Sequence, residues 1–239
     1  MDNTDIFKGA RKEYARVLQN IATKLSITAN SNAALPYSIE VATLNRIKDT
    51  GPWFVSGISG SGKSTVTSNL AAHGYEKLRN ITTRAKRPGE TDADYIFTDD
   101  ATFKMWEAQG RIFDPHITNK VWHGILFEDL QKLQQGGTVF MDKSVKSVRG
   151  IVHAFPDMTQ SVNFVYILPP SFDVLLERLL GREVAHAHAG MQHHELLDRF
   201  AEEIDEMAQT VELPYAYIVN DNAERVQQLL ARQHHTDNL

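Results

Sequence analysis

Residues 53–64 read Trp-Phe-Val-Ser-Gly-Ile-Ser-Gly-Ser-Gly-Lys-Ser. The last eight, Gly57 to Ser64, fit the spacing G-x-x-x-x-G-K-[ST] of a phosphate-binding loop. Glycines 57, 60 and 62 let the backbone curl so that several N–H groups point inward at a polyphosphate. Lys63 adds a point charge beside the transferable phosphate, and the Ser64 hydroxyl is placed to hold Mg²⁺. The flanks agree. Trp53 to Ser56 reads as a short buried strand, and Thr65 to Ala72 as a helix whose positive N-terminal end faces the phosphates.

Outward from the loop, strands alternate with helices. Strands are expected over Gly74–Ile81, Ile112–Phe113, Val121–Ile125, Thr138–Met141, Val162–Leu168 and Ala216–Val219. Helices are expected over Asp99–Gln109, Leu126–Gln135, Ser171–Leu180, Glu195–Thr210 and Ala223–Gln233. This order implies an α/β fold with a mostly parallel sheet flanked by helices, as in P-loop nucleotide-binding proteins. Ligands in such sheets sit at the carboxyl ends of strands, where the loop, Asp142 and Asn220 all fall. Residues 1–50 form a helical N-terminal extension, and residues 51–235 the main domain. In the extension, Phe7, Tyr14, Val17, Leu18, Ile21 and Leu25 make one apolar stripe. Val41, Leu44 and Ile47 continue as a second short helix beyond a connector, Ser26–Pro36. The stripe suits docking on the core or a homo-oligomer contact.

Composition narrows the class. At 239 residues and 42% hydrophobic, the chain can bury one sizeable core. It has no cysteine, which excludes disulfides, thiolate catalysis and zinc–cysteine sites. A net charge of −5 argues against a nucleic-acid partner, no apolar run reaches membrane-spanning length, and the acidic start is unlike a secretory signal. A cytoplasmic protein is the expectation.

The second constellation is Thr82-Thr83-Arg84-Ala85-Lys86-Arg87-Pro88-Gly89-Glu90, followed by Asp94-Tyr95-Ile96-Phe97. Two arginines three apart, with hydroxyls before and a tyrosine after, suit a phosphate grip, because guanidinium forks match phosphate oxygens. Ile167-Leu168-Pro169-Pro170-Ser171, Leu179-Leu180-Gly181-Arg182 and Tyr217-Ile218-Val219-Asn220-Asp221 complete a set. In order and spacing, from about Gly51 to Gln233, these segments resemble the guanylate kinase family. The resemblance implies a nucleoside monophosphate kinase that uses ATP and Mg²⁺, with GMP or dGMP as acceptor. It implies an acceptor-binding subdomain at about 80–126 and a lid at about 181–195. By the same resemblance, Gly57, Ser59, Gly60, Ser61, Gly62, Lys63, Ser64, Thr65 and Asn220 bind the nucleotide donor. Asn80, Arg84, Arg87, Tyr95, Asp114, His123 and Asp142 bind the acceptor, and Ser64 and Asp142 lie at the metal. Lys63 with the lid arginines Arg178, Arg182 and Arg199 carries catalysis.

Departures from the family pattern cluster where the base is read. Asn80 stands for a usual serine, Asp114 for a usual glutamate, His123 for a tyrosine, Ile125 for a hydroxyl residue and Phe140 for an acid. These changes leave open a kinase of another phosphorylated small molecule, or a non-catalytic protein-binding module of the same type. A GTPase is excluded, because Asn119-Lys120-Val121-Trp122 does not complete the guanine motif N-K-x-D. The histidines at 186, 188, 193 and 194 show no known ligand spacing and read as part of a polar lid.

Overall fold

Trp53, Phe54 and Val55 have no solvent exposure, as expected of a strand covered on both faces. The computed structural model describes residues 7–29, 31–48, 51–87, 89–118, 120–185 and 193–232. Along them run helices α1 (Lys8–Lys24) and α2 (Leu35–Thr43), strand β1 (Trp53–Gly57) and helix α3 (Lys63–Ala72). Strands β2 (Glu76–Lys77), β3 (Asn80–Thr82) and β4 (Tyr95–Phe97) follow, then α4 (Asp100–Ala108), β5 (Ile112–Thr118), β6 (Val121–Leu126) and α5 (Phe127–Gln134). The last part holds β7 (Val139–Asp142), α6 (Val145–Ala154), α7 (Met158–Ser161), β8 (Asn163–Leu168), α8 (Phe172–Ala185), α9 (His193–Ala208), β9 (Ala216–Val219) and α10 (Ala223–Arg232).

The main sheet has the order β2-β7-β1-β8-β9, with every pairing parallel. Phe54, Met141, Phe164 and Tyr166 pack on one face of it, and Trp53, Val55, Val165 and Ile218 on the other. A second sheet, β4-β3-β6-β5, carries a small core of Ile81, Phe103, Ile112 and Leu126. The expected strand Gly74–Ile81 is therefore two strands. The chain leaves the main sheet after Lys77 and enters the small one at Asn80. Helix α4 is capped by Asp99, which accepts the Thr102 N–H at 2.7 Å, and Ser171 caps α8 by accepting the Val174 N–H at 3.2 Å.

The N-terminal stripe packs against the chain itself. Tyr14, Val17, Leu18 and Ile21 of α1 are buried, chiefly against α9. Phe7 meets the edge of Phe200 at 6.1 Å, Tyr14 lies 5.7 Å from Phe172, and Arg11 forms an ion pair with Asp173. The second helix differs from expectation. It begins at Leu35-Pro36, and proline suits a first turn because its missing N–H is not needed there. Val41 is 71% exposed, while Glu40 and Thr43 are buried. No helix among the described residues is long and apolar enough to cross a membrane.

Ile21 is fully buried, so Ile21→Ala should cost about 3 kcal/mol of unfolding free energy, read by urea denaturation. A loss below about 1 kcal/mol would mean that the extension opens independently of the core.

Candidate active site

The loop between β1 and α3 bends as its glycines require. Gly60 and Gly62 have φ of 81° and 92°, in the left-handed region that other residues enter at a cost. A Cβ at Gly62 would also run into the Asn220 amide. That amide is buried and donates to the carbonyls of Ser61 at 3.0 Å and Gly62 at 3.3 Å. Asn220 is thus bound to the loop, and it also lines a smaller pocket with Gly60, Ser64, Thr65 and Asp221. Arg178 joins the same frame, donating to the Ser61 carbonyl at 3.2 Å and the Asn220 carbonyl at 2.9 Å. Lys63 opens α3, and its ammonium donates to the Gly57 carbonyl and, at 3.4 Å, to that of Ile58.

A cleft of about 480 Å³ joins this loop to the small sheet. Ser59 and Lys63 line one wall, Asn80, Tyr95, His116 and His123 the other, and Asp142 and Lys143 the floor between them. Each arrives by the topology. Asn80 and Tyr95 pair across β3 and β4, His116 and His123 across β5 and β6, and Asp142 ends β7 beside β1.

The small-sheet wall is shaped by a bulge. The β5–β6 register shifts between Phe113 and His116, and Asp114, just before a proline, takes φ of 52°. The bulge turns the Asp114 carboxylate toward Ser147, whose hydroxyl donates to it at 2.9 Å. His116 Nδ1 lies 2.8 Å from the Asp114 carbonyl, and its ring stacks on His123 at 5.7 Å. Burial holds the His123 pKa down, with His116, Arg84 and Lys143 adding to it. Asn80 donates to the Asp142 carbonyl at 3.3 Å, while its own buried Oδ1 has no hydrogen-bond partner among the described residues. Ile125 is fully buried in the core.

Arg84 stands behind the cleft wall. It grips Glu90 with two hydrogen bonds of 2.5 and 2.6 Å, and its guanidinium lies 4.9 Å from the Tyr95 ring and 5.5 Å from that of Phe97. The Glu90 carboxyl is held down to about 2, first by Arg84 and then by the Arg87 N–H. Arg87 is exposed, and its N–H donates to Glu90 at 2.8 Å. Of the two expected phosphate-gripping arginines, Arg84 therefore reaches the cleft through Tyr95, and Arg87 lies at the loop surface. Arg182 and Arg199 fall in α8 and α9, with side chains outside the described residues, as are residues 186–192 of the expected lid.

Several cleft residues escaped the sequence reading. Burial pushes the half-buried Lys143 ammonium down to about 7, against the pull of Asp142, Asp114 and Asp129. Its place directly after a strand-end aspartate was the available signal. Glu203 and Glu206 come from α9. The Ser59 N–H donates to the Glu203 carboxylate, so an acid of the chain itself answers the loop's affinity for anions. Burial raises the Glu206 pKa, the Val145 N–H opposes that, and Glu203 adds to it. No local pattern marks these acids, since on a helix they read as a solvated face.

A family model described as guanylate kinase matches residues 49–233. The guanylate kinase of Legionella pneumophila (strain Lens) is 30% identical over 177 residues, 72% of this chain and 79% of that protein. That of Streptococcus thermophilus (strain CNRZ 1066) is 30% identical over 190 residues, 75% of this chain and 85% of that protein. The fold is shared with a crystal structure of guanylate kinase from Anaplasma phagocytophilum, at a TM-score of 0.55 and 22% identity, covering 80% of this chain and 90% of that one. With the matched region spanning the loop, the cleft and the last strand, this chain belongs to the guanylate kinase family.

Proposed function

We infer that this chain transfers the terminal phosphoryl group of ATP to GMP, giving ADP and GDP. The observation that carries the reading is one cleft with two chemically distinct walls. The glycine-rich loop with Lys63 forms one, and the polar face of the small sheet forms the other. Phosphoryl transfer asks for alignment and charge neutralisation, and the attacking phosphate oxygen is already an anion. No general base is required. Lys63 and the arginines at 178, 182 and 199 offset charge on the transferring group. Arg84 and Tyr95, with Arg87 on a closed loop, hold the acceptor phosphate. The two walls approach when the cleft closes, which keeps water from the reacting group.

The residues fit the implied cofactors. The left-handed turns at Gly60 and Gly62 curl the loop as a polyphosphate cradle requires, a phosphate oxygen would take the place that Glu203 holds at the Ser59 N–H, and Ser64 at the start of α3 with Asp142 at the end of β7 are oxygen donors suited to Mg²⁺. Magnesium there would neutralise phosphate charge. Guanine needs a donor at O6 and an acceptor at its N–H edge. The Asn80 Oδ1 supplies an acceptor in the cleft, the Asp114 carboxylate, held by Ser147 beside the cleft, supplies a second, and Lys143 and His123 supply donors, in place of the hydroxyl that Ile125 lacks. A cytoplasmic setting provides both nucleotides.

A coupled assay over GMP, dGMP, AMP, CMP, UMP and sugar phosphates tests the reading. GMP is expected to have the highest kcat/KM, by at least tenfold over AMP. Robust turnover of another acceptor without GMP would overturn the guanine assignment, and absence of ATP binding by calorimetry would point to a protein-binding module.

A further inference from the structure

Among the described residues, strand β9 is an edge of the main sheet, pairing only with β8. An edge strand leaves a row of N–H and C=O groups without a neighbouring strand to bond them. Here side chains of the N-terminal extension take that row. The Tyr217 N–H donates to Thr43 Oγ1 at 3.0 Å, and the Val219 N–H to Glu40 Oε1 at 2.7 Å. Arg46 donates to the Tyr215 carbonyl at 2.8 Å. Glu40 and Thr43 lie three apart on α2 and so share a face. Glu40 is only 1% exposed, a position a carboxylate holds only when its charge is answered. Arg225 of α10 answers it with an ion pair, and the same guanidinium donates to the Val219 carbonyl at 2.9 Å and reaches Asp221 at 3.4 Å. Tyr37 of α2 donates to the other Asp221 oxygen at 3.1 Å.

This network ends at the nucleotide site. The residue after Val219 is Asn220, whose amide holds the loop carbonyls of Ser61 and Gly62 and whose own carbonyl takes Arg178. Asn220, Asp221 and Ala223 form the wall of the pocket that faces Ser64 and Thr65. We propose that Glu40 is a positioning residue of the ATP site: it fixes the end of β9, through which Asn220 sets the phosphate-binding loop. The N-terminal extension is then part of the catalytic unit, although Glu40 and its helix lie outside the family-matched region. The proposal rests on the loop being the ATP site.

Two variants of the full chain separate this role from plain stability. Glu40→Leu removes the acceptor and leaves Arg225 with Asp221 and the Val219 carbonyl alone, whereas Glu40→Gln keeps an oxygen for the Val219 N–H and loses the charge. Calorimetry with ADP is expected to give a Kd about tenfold weaker for E40L and two- to fourfold weaker for E40Q. KM for ATP should rise in parallel, while KM for GMP stays within twofold. A merely structural role would lower Tm without splitting the two KM values. Unchanged ADP affinity in folded E40L, or equal weakening toward ATP and GMP, overturns the proposal. If E40L fails to fold, an unchanged ADP Kd in E40Q does so. Failure of the wild-type chain to bind ADP would instead strike at the donor-site reading itself.

Discussion

Lys63→Ala is expected to lower kcat for GMP phosphorylation by about 10³-fold while leaving Tm within a few degrees. The size follows from where the ammonium sits. It is held at the first turn of α3 by the carbonyls of Gly57 and Ile58, so its position is fixed before any substrate arrives. A preorganised charge costs no reorganisation at the moment of transfer, and loss of one such group typically costs about 10²–10³-fold in rate. The charge count around the cleft strengthens the expectation. Glu202, Glu203 and Glu206 line it beside the loop, so an incoming triphosphate meets acids that Lys63 must offset. Removing the ammonium leaves that repulsion uncompensated. The fold should tolerate the change, since Lys63 is only partly buried and the turn depends on Gly60, Gly62 and the Asn220 bonds. Steady-state kinetics and a thermal melt check both halves. A fall in kcat below tenfold would mean that the arginines carry the charge neutralisation instead.

What the sequence disclosed and what it hid divide along a physical line. The phosphate loop, its strand and its helix were legible because their chemistry is local: a fixed spacing of glycines, one lysine and one hydroxyl. The parallel sheet followed from alternation, and β9 was read with its observed bounds. Helix α6 was overlooked despite a legible signal, namely a Ser144 N-cap followed by apolar residues at 145, 148 and 151. Other features lay beyond local reading. Apolar periodicity could not show that Gly74–Ile81 crosses from one sheet to another, because both strands are short and half-covered. It misplaced the buried face of α2, because that face holds Glu40 and Thr43, polar residues made compatible with burial only by the backbone of a strand more than 170 residues away. The cleft was half visible. Asn80, Tyr95, His123 and Asp142 were named from the sequence and meet there, Lys143 was marked only by its place after Asp142, and Glu203 and Glu206 arrive by tertiary folding alone.

Arg84→Ala is expected to reduce kcat/KM for GMP by about 10²-fold with the ADP Kd unchanged. Losing charge-assisted hydrogen bonds to a phosphate costs about 1.5–3 kcal/mol, or roughly 10- to 150-fold. The competing explanation is that Arg84 braces its own loop. It is bound to Glu90 by both oxygens and stacked on Tyr95 and Phe97, so its loss would also loosen the wall that Tyr95 presents. Glu90→Gln decides between them. That change removes the charge partner but leaves the guanidinium on its aromatic platform, where it can still meet a phosphate. If gripping the acceptor is the larger effect, E90Q should lose less than tenfold. If bracing is, E90Q should fall nearly as far as R84A. Arg84→Lys adds a second check, because an ammonium neither forks onto two oxygens nor stacks on a ring as a guanidinium does. It should recover little under either explanation, and full recovery would show that a bare positive charge near Tyr95 is all the acceptor phosphate needs.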